Sequence, residues 1–238
     1  MRYWWAQMPN GMLNFQGLLN LFLQSHCPLC QRPTLQEFCQ DCNRQLQRCK
    51  LTNHQHLQQG LPIFAWGDYR GTLKSAIAAL KYNNQPQIAK PLGQWLAQAW
   101  LNSQHDKLVV VPVPLHADKL KKRGYNQAEL LAESFCNFTG FALQSQGLKR
   151  IKATDAQFSL SVSEREQNLA TAFALGTEFQ RQRPKYRVLL LDDIYTTGAT
   201  VRSAVQTLQK QGISVYGVVA IATPSRNIVS AKSENKVR

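Results

Sequence analysis

The sequence predicts an α/β fold: an open, mainly parallel sheet flanked by helices, preceded by a small amino-terminal module that binds metal. Three observations carry this prediction. Short runs that are apolar at every position, LVVV at 108–111, VLLL at 188–191 and VYGVVAIA at 215–222, suit parallel strands buried on both faces. Helix-period patterns alternate with them, at Leu73, Ile77 and Leu80, at Leu92 and Leu96, and at Leu131 and Phe135. Four cysteines in two close pairs stand ahead of all of these.

At 238 residues the chain holds one substantial domain plus something small. With 44% hydrophobic and 18% charged residues it is globular in composition, not disordered. The polar stretch LTNHQHLQQGLP marks a boundary near residue 60, dividing a 1–60 module from a 61–238 domain with a basic tail. The opening segment is interrupted by Asn14, Gln16 and Asn20 and has no small-residue cleavage site, so it reads neither as a signal peptide nor as a membrane span. Leu13, Leu18, Leu21 and Phe22 instead fit one face of a short amphipathic helix. With no export signal, the cysteines are expected in a reducing cytoplasm, where paired thiols more often mean metal than disulfide.

Cys27-Pro-Leu-Cys30 and Cys39-Gln-Asp-Cys42 are two C-x-x-C knuckles in tandem, and each can turn two thiolates toward one metal. Four sulfurs complete a tetrahedron that suits zinc and leaves no position for substrate, so the zinc is structural. Disulfides, an iron–sulfur cluster and unliganded thiols are the competing readings. Cys49, His54 and His56 lack an evident fourth ligand and are read as non-ligands, and Cys136, inside ELLAESFCNF, as a small core residue.

The sharpest motif is VLLLDDIYTTGAT at 188–200. Asp192 and Asp193 stand at the carboxyl end of a strand, where open α/β sheets bind ligands, and paired carboxylates accept hydrogen bonds from the two hydroxyls of a ribose. Thr196, Thr197 and Thr200 offer hydroxyls, Gly198 lets the backbone close on an anion, and the helix begun at Ala199 and Thr200 aims its positive end at a phosphate. There is no G-x-G-x-x-G and no G-x-x-x-x-G-K-[ST], so dinucleotide and P-loop readings lose their support. The formal charge of +14 points to polyanions or phosphorylated ligands, with basic runs at KLKKRG (119–124), KRIK (149–152), RQRPKYR (181–187) and KSENKVR (232–238).

The acidic pair and its loop resemble those of type I phosphoribosyltransferases. In that family the pair holds the ribose of phosphoribosyl pyrophosphate (PRPP) and the loop, here Thr196 to Thr200, holds the 5′-phosphate. YRGTLKSAIAALKYN (69–83), VVVPVPLHADKLKKRGYNQAELLA (109–132) and QFSLSVSEREQNLATAF (157–173) narrow the resemblance to the ComF group of competence-related proteins, spanning Cys27 to Thr223. That resemblance implies a phosphoribosyltransferase-like domain behind a zinc finger and places Val113, Pro114, Leu115 and His116 near the diphosphate. Arg123 is the first-ranked cation there and Lys81 the second, each also readable as an ordinary surface residue. Asn126 fits a helix cap. Ser163 and Glu166 have capping-box spacing, opening a helix with Arg165 and Asn168 where such transferases carry a loop over the site.

Two functions follow from the resemblance. One is a competence and DNA-uptake accessory factor that binds PRPP with magnesium, and with it single-stranded DNA and a DNA-uptake helicase as partners. The other is an active transferase that passes ribose 5-phosphate to a nitrogenous acceptor. The zinc module stands where transferases carry the hood that selects the acceptor, and no general base is evident.

Overall fold

A computed structural model describes residues 25–58, 60–101, 107–152 and 172–225. The proposed amino-terminal helix, the Ser163–Glu166 box with Arg165 and Asn168, and the basic tail lie outside the described residues.

The chain opens with two short antiparallel strands, β1 (Ser25–His26) and β2 (Pro33–Thr34), and helix α1 (Gln40–Gln47). The hairpin of β3 (Gln55–Gln58) and β4 (Leu61–Asp68) leads to α2 (Gly71–Tyr82) and α3 (Ala89–Leu101). Next come β5 (Leu108–Pro112), α4 (Ala117–Arg123), α5 (Gln127–Thr139) and β6 (Ala142–Leu143). A separate antiparallel pair, β7 (Leu148–Arg150) and β8 (Phe173–Leu175), precedes α6 (Thr177–Arg181). The chain then runs through β9 (Arg187–Ile194), α7 (Ala199–Lys210) and β10 (Val215–Thr223).

Six strands form one sheet in the order β3-β4-β10-β9-β5-β6. Every pairing is parallel except that of β3 with β4. The expected α/β architecture is therefore the observed one. The expected division at residue 60 falls in the β3–β4 turn, so Gln55–Gln58 already belongs to the sheet.

Alternation along the strands sorts the core into two layers. Phe64, Trp66, Val110, Leu189, Leu191 and Val219 pack with α2, α3 and α5, while Ile63, Val111, Val188, Leu190 and Val218 pack with α6 and α7. Runs that are apolar throughout are what such a two-sided burial requires. The cysteine module is part of the first layer. Cys27, Phe38, Cys42 and Leu46 are buried in the same cluster as Trp66 and Leu73. Phe38 meets Trp95 at 5.8 Å between ring centroids, and Trp95 stacks on Trp66 at 5.3 Å. Hydrogen bonds from Asp68 N to Cys49 O and from Leu51 N to Trp66 O tie the exit of the module to β4.

Candidate functional site

The four knuckle cysteines converge. Their sulfurs lie within 4.8 Å of one another, and Cys30 Sγ and Cys39 Sγ are 3.5 Å apart. Zinc–sulfur bonds of about 2.3 Å in a tetrahedron put sulfurs about 3.8 Å apart, so the donor set fits one zinc ion with little rearrangement. Burial pushes the Cys27 thiol up, but backbone N–H groups of Cys39, Leu29 and Cys30 donate to it and bring it down to about 7. Burial and then the neighbouring thiols raise Cys42.

The remaining thiols and histidines stay out of this cluster. Cys49 Sγ lies 3.6 Å from the carbonyls of Gln45 and Arg70, and His54 Nδ1 is 3.0 Å from Ala65 O. Burial lowers His56 and pushes Cys136 up to about 12, which leaves the latter an inert core thiol.

The second centre is built at the carboxyl ends of the parallel strands. β9 delivers Asp192 and Asp193 there, after four consecutive buried apolar residues. Tyr195, buried at 2%, fixes the turn by donating its N–H to Ala222 O. Thr196 and Thr197 are exposed, whereas Gly198 is buried with φ +74, a left-handed conformation that favours glycine. A Cβ at Gly198 would stand 2.3 Å from Tyr195 Oη. Ala199 and Thr200 open α7 and are half-buried, so the positive end of this helix points into the loop. Arg202 Nη1 donates to Thr197 O at 2.6 Å, which adds a cation to the loop that the sequence reading did not single out.

Two other segments close on the acidic pair. Lys81, near the end of α2, forms an ion pair with Asp193 Oδ2, both side chains being largely buried. Desolvation pulls the lysine down, but the Asp193 carboxylate and then Asp192 outweigh it, and its pKa is raised. Gln127, at the start of α5, donates from Nε2 to Asp193 Oδ1 at 3.1 Å and accepts at Oε1 from Arg123. Arg123 also lies over the Tyr82 ring, 5.6 Å from its centroid. Asp192 is half-buried and held well above its usual range, by desolvation first and the Asp193 carboxylate second, against the pull of Lys81.

Asn126 takes the expected cap. Its Oδ1 accepts from Ala128 N at 3.1 Å, and its Nδ2 donates to Val113 O at 3.2 Å, joining the start of α5 to the segment after β5. Val113 is buried, while Pro114, Leu115 and His116 are half-buried. His116 caps α4, with Nδ1 3.2 Å from Asp118 Oδ2. Helix α4 buries none of its residues, and Lys119, Lys121 and Lys122 are exposed along it. A third carboxylate at this edge, Asp68, is held by Arg70 Nε at 2.7 Å and Ser225 N at 3.0 Å. A cavity of about 290 Å³ is lined by His56, Phe64, Trp100 and Tyr216 and by none of the predicted site residues.

Competence protein F of Haemophilus influenzae is 29% identical over 220 residues, covering 88% of this chain and 95% of that protein. DNA utilization protein YhgH of Salmonella typhimurium is 29% identical over 202 residues, 81% of this chain and 87% of its own. Competence protein ComFC of Bacillus subtilis is 26% identical over 191 residues, 78% and 72% respectively. The chain is a homologue of these competence and DNA-utilization proteins. No family model matches it. Among solved structures, TT1426 from Thermus thermophilus is 16% identical and covers 57% of this chain and 83% of its own at a TM-score of 0.31. With 88% of this chain covered, the homology to competence protein F takes in most of the length that carries the two centres. Among the described residues no helix is long and apolar enough to cross a membrane.

Proposed function

We propose that the protein is an accessory factor for the handling of incoming DNA, working through an α/β domain that binds a phosphoribosyl ligand, most simply PRPP with magnesium. One observation carries the ligand reading. An acidic pair at the end of a buried strand is followed at once by a loop that folds back through Gly198 into the start of α7, with Arg202 beside it. Carboxylates there suit the hydroxyls of a ribose, and the loop suits a terminal phosphate. The names of the relatives support the DNA role, and the exposed lysines of α4 supply a surface for a polyanion next to the site. The reading includes one structural zinc on Cys27, Cys30, Cys39 and Cys42.

A second reading, transfer of the phosphoribosyl group to a nitrogen nucleophile, is favoured by the two cations held at the acidic pair, Lys81 and Arg123, which suit a departing diphosphate. Genetics separates the roles. Loss of the gene should lower transformation and leave growth unchanged. Replacing Lys119, Lys121 and Lys122 together by alanine should reproduce that loss if α4 carries DNA, with binding to single strands falling steeply with salt, at a slope near about −0.7 per phosphate contact. If the lysines do not matter and Asp192→Asn alone abolishes transformation, the nucleotide site is the working part. Unchanged transformation in both variants would contradict the proposal.

A further inference from the structure

Strand geometry gives the two carboxylates of the acidic pair different surroundings, although their side chains remain within reach of one another. Successive residues of β9 point to opposite faces. Asp193 turns toward the layer of α2 and α5, where it is 3% exposed, paired with Lys81 at Oδ2 and hydrogen-bonded by Gln127 at Oδ1. Gln127 is itself 5% exposed and accepts from Arg123 at its other end. A chain of contacts, Arg123 to Gln127 to Asp193 to Lys81, therefore runs under the floor of the site and anchors both cations. Asp193 Oδ1 already has a donor in Gln127 and Oδ2 an ion pair with Lys81, and an oxygen committed to a buried ammonium gives that up only at a large cost. Asp192 stands differently. It is half-buried, so part of its surface stays open to a ligand, and its Oδ1 accepts from the backbone N–H of Asp193 at 2.8 Å, with the Asp193 carboxyl also within its reach.

Building on the phosphoribosyl reading above, we propose that the pair divides its work: Asp192 receives the ribose hydroxyls, while Asp193 is a positioning residue that holds Lys81 and, through Gln127, Arg123 where a diphosphate sits. Their place in the motif does not distinguish the two aspartates; their partners do. The division predicts that losing Asp192 removes the part of affinity that depends on ribose, whereas losing Asp193 or Gln127 removes the part that depends on diphosphate.

Calorimetric titration of the full chain with PRPP and with inorganic pyrophosphate, both with magnesium, tests this on wild type, Asp192→Asn, Asp193→Asn and Gln127→Leu. Asp192→Asn should weaken PRPP about tenfold or more and leave pyrophosphate unchanged. Asp193→Asn and Gln127→Leu should weaken both ligands by a similar factor. Gln127→Leu keeps the Lys81–Asp193 pair and so reports on positioning even if Asp193→Asn fails to fold. The proposal is overturned if Asp193→Asn weakens PRPP alone, if Gln127→Leu changes neither ligand, or if wild type binds PRPP but not pyrophosphate, since the anchored cations then meet no diphosphate. Wild type that binds neither ligand contradicts the phosphoribosyl reading itself, and the proposal falls with it.

Discussion

The cysteine module consists of two strands of two residues and one helix of eight, whereas the acidic pair stands on an eight-residue strand buried between two layers. The module has too little secondary structure to hold four thiols together by backbone alone, so its geometry depends on what the thiols bind. The acidic pair is held the other way, by a sheet and by a buried ion pair with Lys81. Yet the two share one apolar layer, through Phe38, Trp95 and Trp66. On the proposed zinc reading, a module whose fold depends on metal is thus packed onto a sheet held by its own core.

The largest expected effect breaks the first half of this comparison. Cys39→Ser should take zinc content from about one ion per chain to none and lower the melting temperature by about 10 °C, because metal binding and folding are coupled here. Since Phe38 meets Trp95, the loss should also change tryptophan fluorescence from the α/β core. Elemental analysis beside a fluorescence melt checks both, and an unchanged core signal in the metal-free variant would show that the module is independent.

The second half is broken by Lys81→Met, which leaves Asp193 buried without its cation and should cost about 3–5 kcal/mol in a denaturant melt. Adding Asp193→Asn to that variant should recover most of the loss, because it removes the orphaned charge. Gly198→Val should cost less, about 2–3 kcal/mol, from the left-handed backbone and from the contact its Cβ would make with Tyr195.

The smallest effect has the opposite sign. A carboxyl whose pKa is raised on folding stabilises the protein only below its unfolded pKa, and that contribution is lost as pH rises through the folded one. Asp192 is such a group, so Asp192→Asn should raise the melting temperature of the ligand-free protein at neutral pH and flatten its decline above the acid range. Thermal melts across pH, wild type against variant, measure this. A fall in stability would mean that Asp192 is a structural acid.

How much of this was legible depended on whether a feature was local. β5, β9 and β10 were readable because strands buried on both faces are apolar throughout, and α2, α3 and α5 because each has an apolar face. Asn126 was readable as a cap, since a cap acts on its own helix. Helix α4 was not, because it buries nothing and leaves no periodic signal. The β7–β8 pair is three residues on each side with a long separation between them, too short to stand out. At the site, the motif residues were visible as a string, but their partners were not. Gln127 reaches Asp193 from another element, and Lys81 could be read only as a ligand cation or a surface lysine, with nothing local to reveal its ion pair with Asp193. Arg202 lies within the helix after the motif and acquires its place only once Gly198 turns the loop back.

Titrating wild-type protein with PRPP and magnesium by calorimetry is the most direct test of the central claim, that the edge built by Asp192, Gly198 and α7 is a phosphoribosyl site. The account predicts saturable binding at one site per chain, accompanied by a rise in melting temperature that grows with ligand concentration. No heat and no thermal shift at millimolar ligand, with zinc bound and the protein folded, would contradict it.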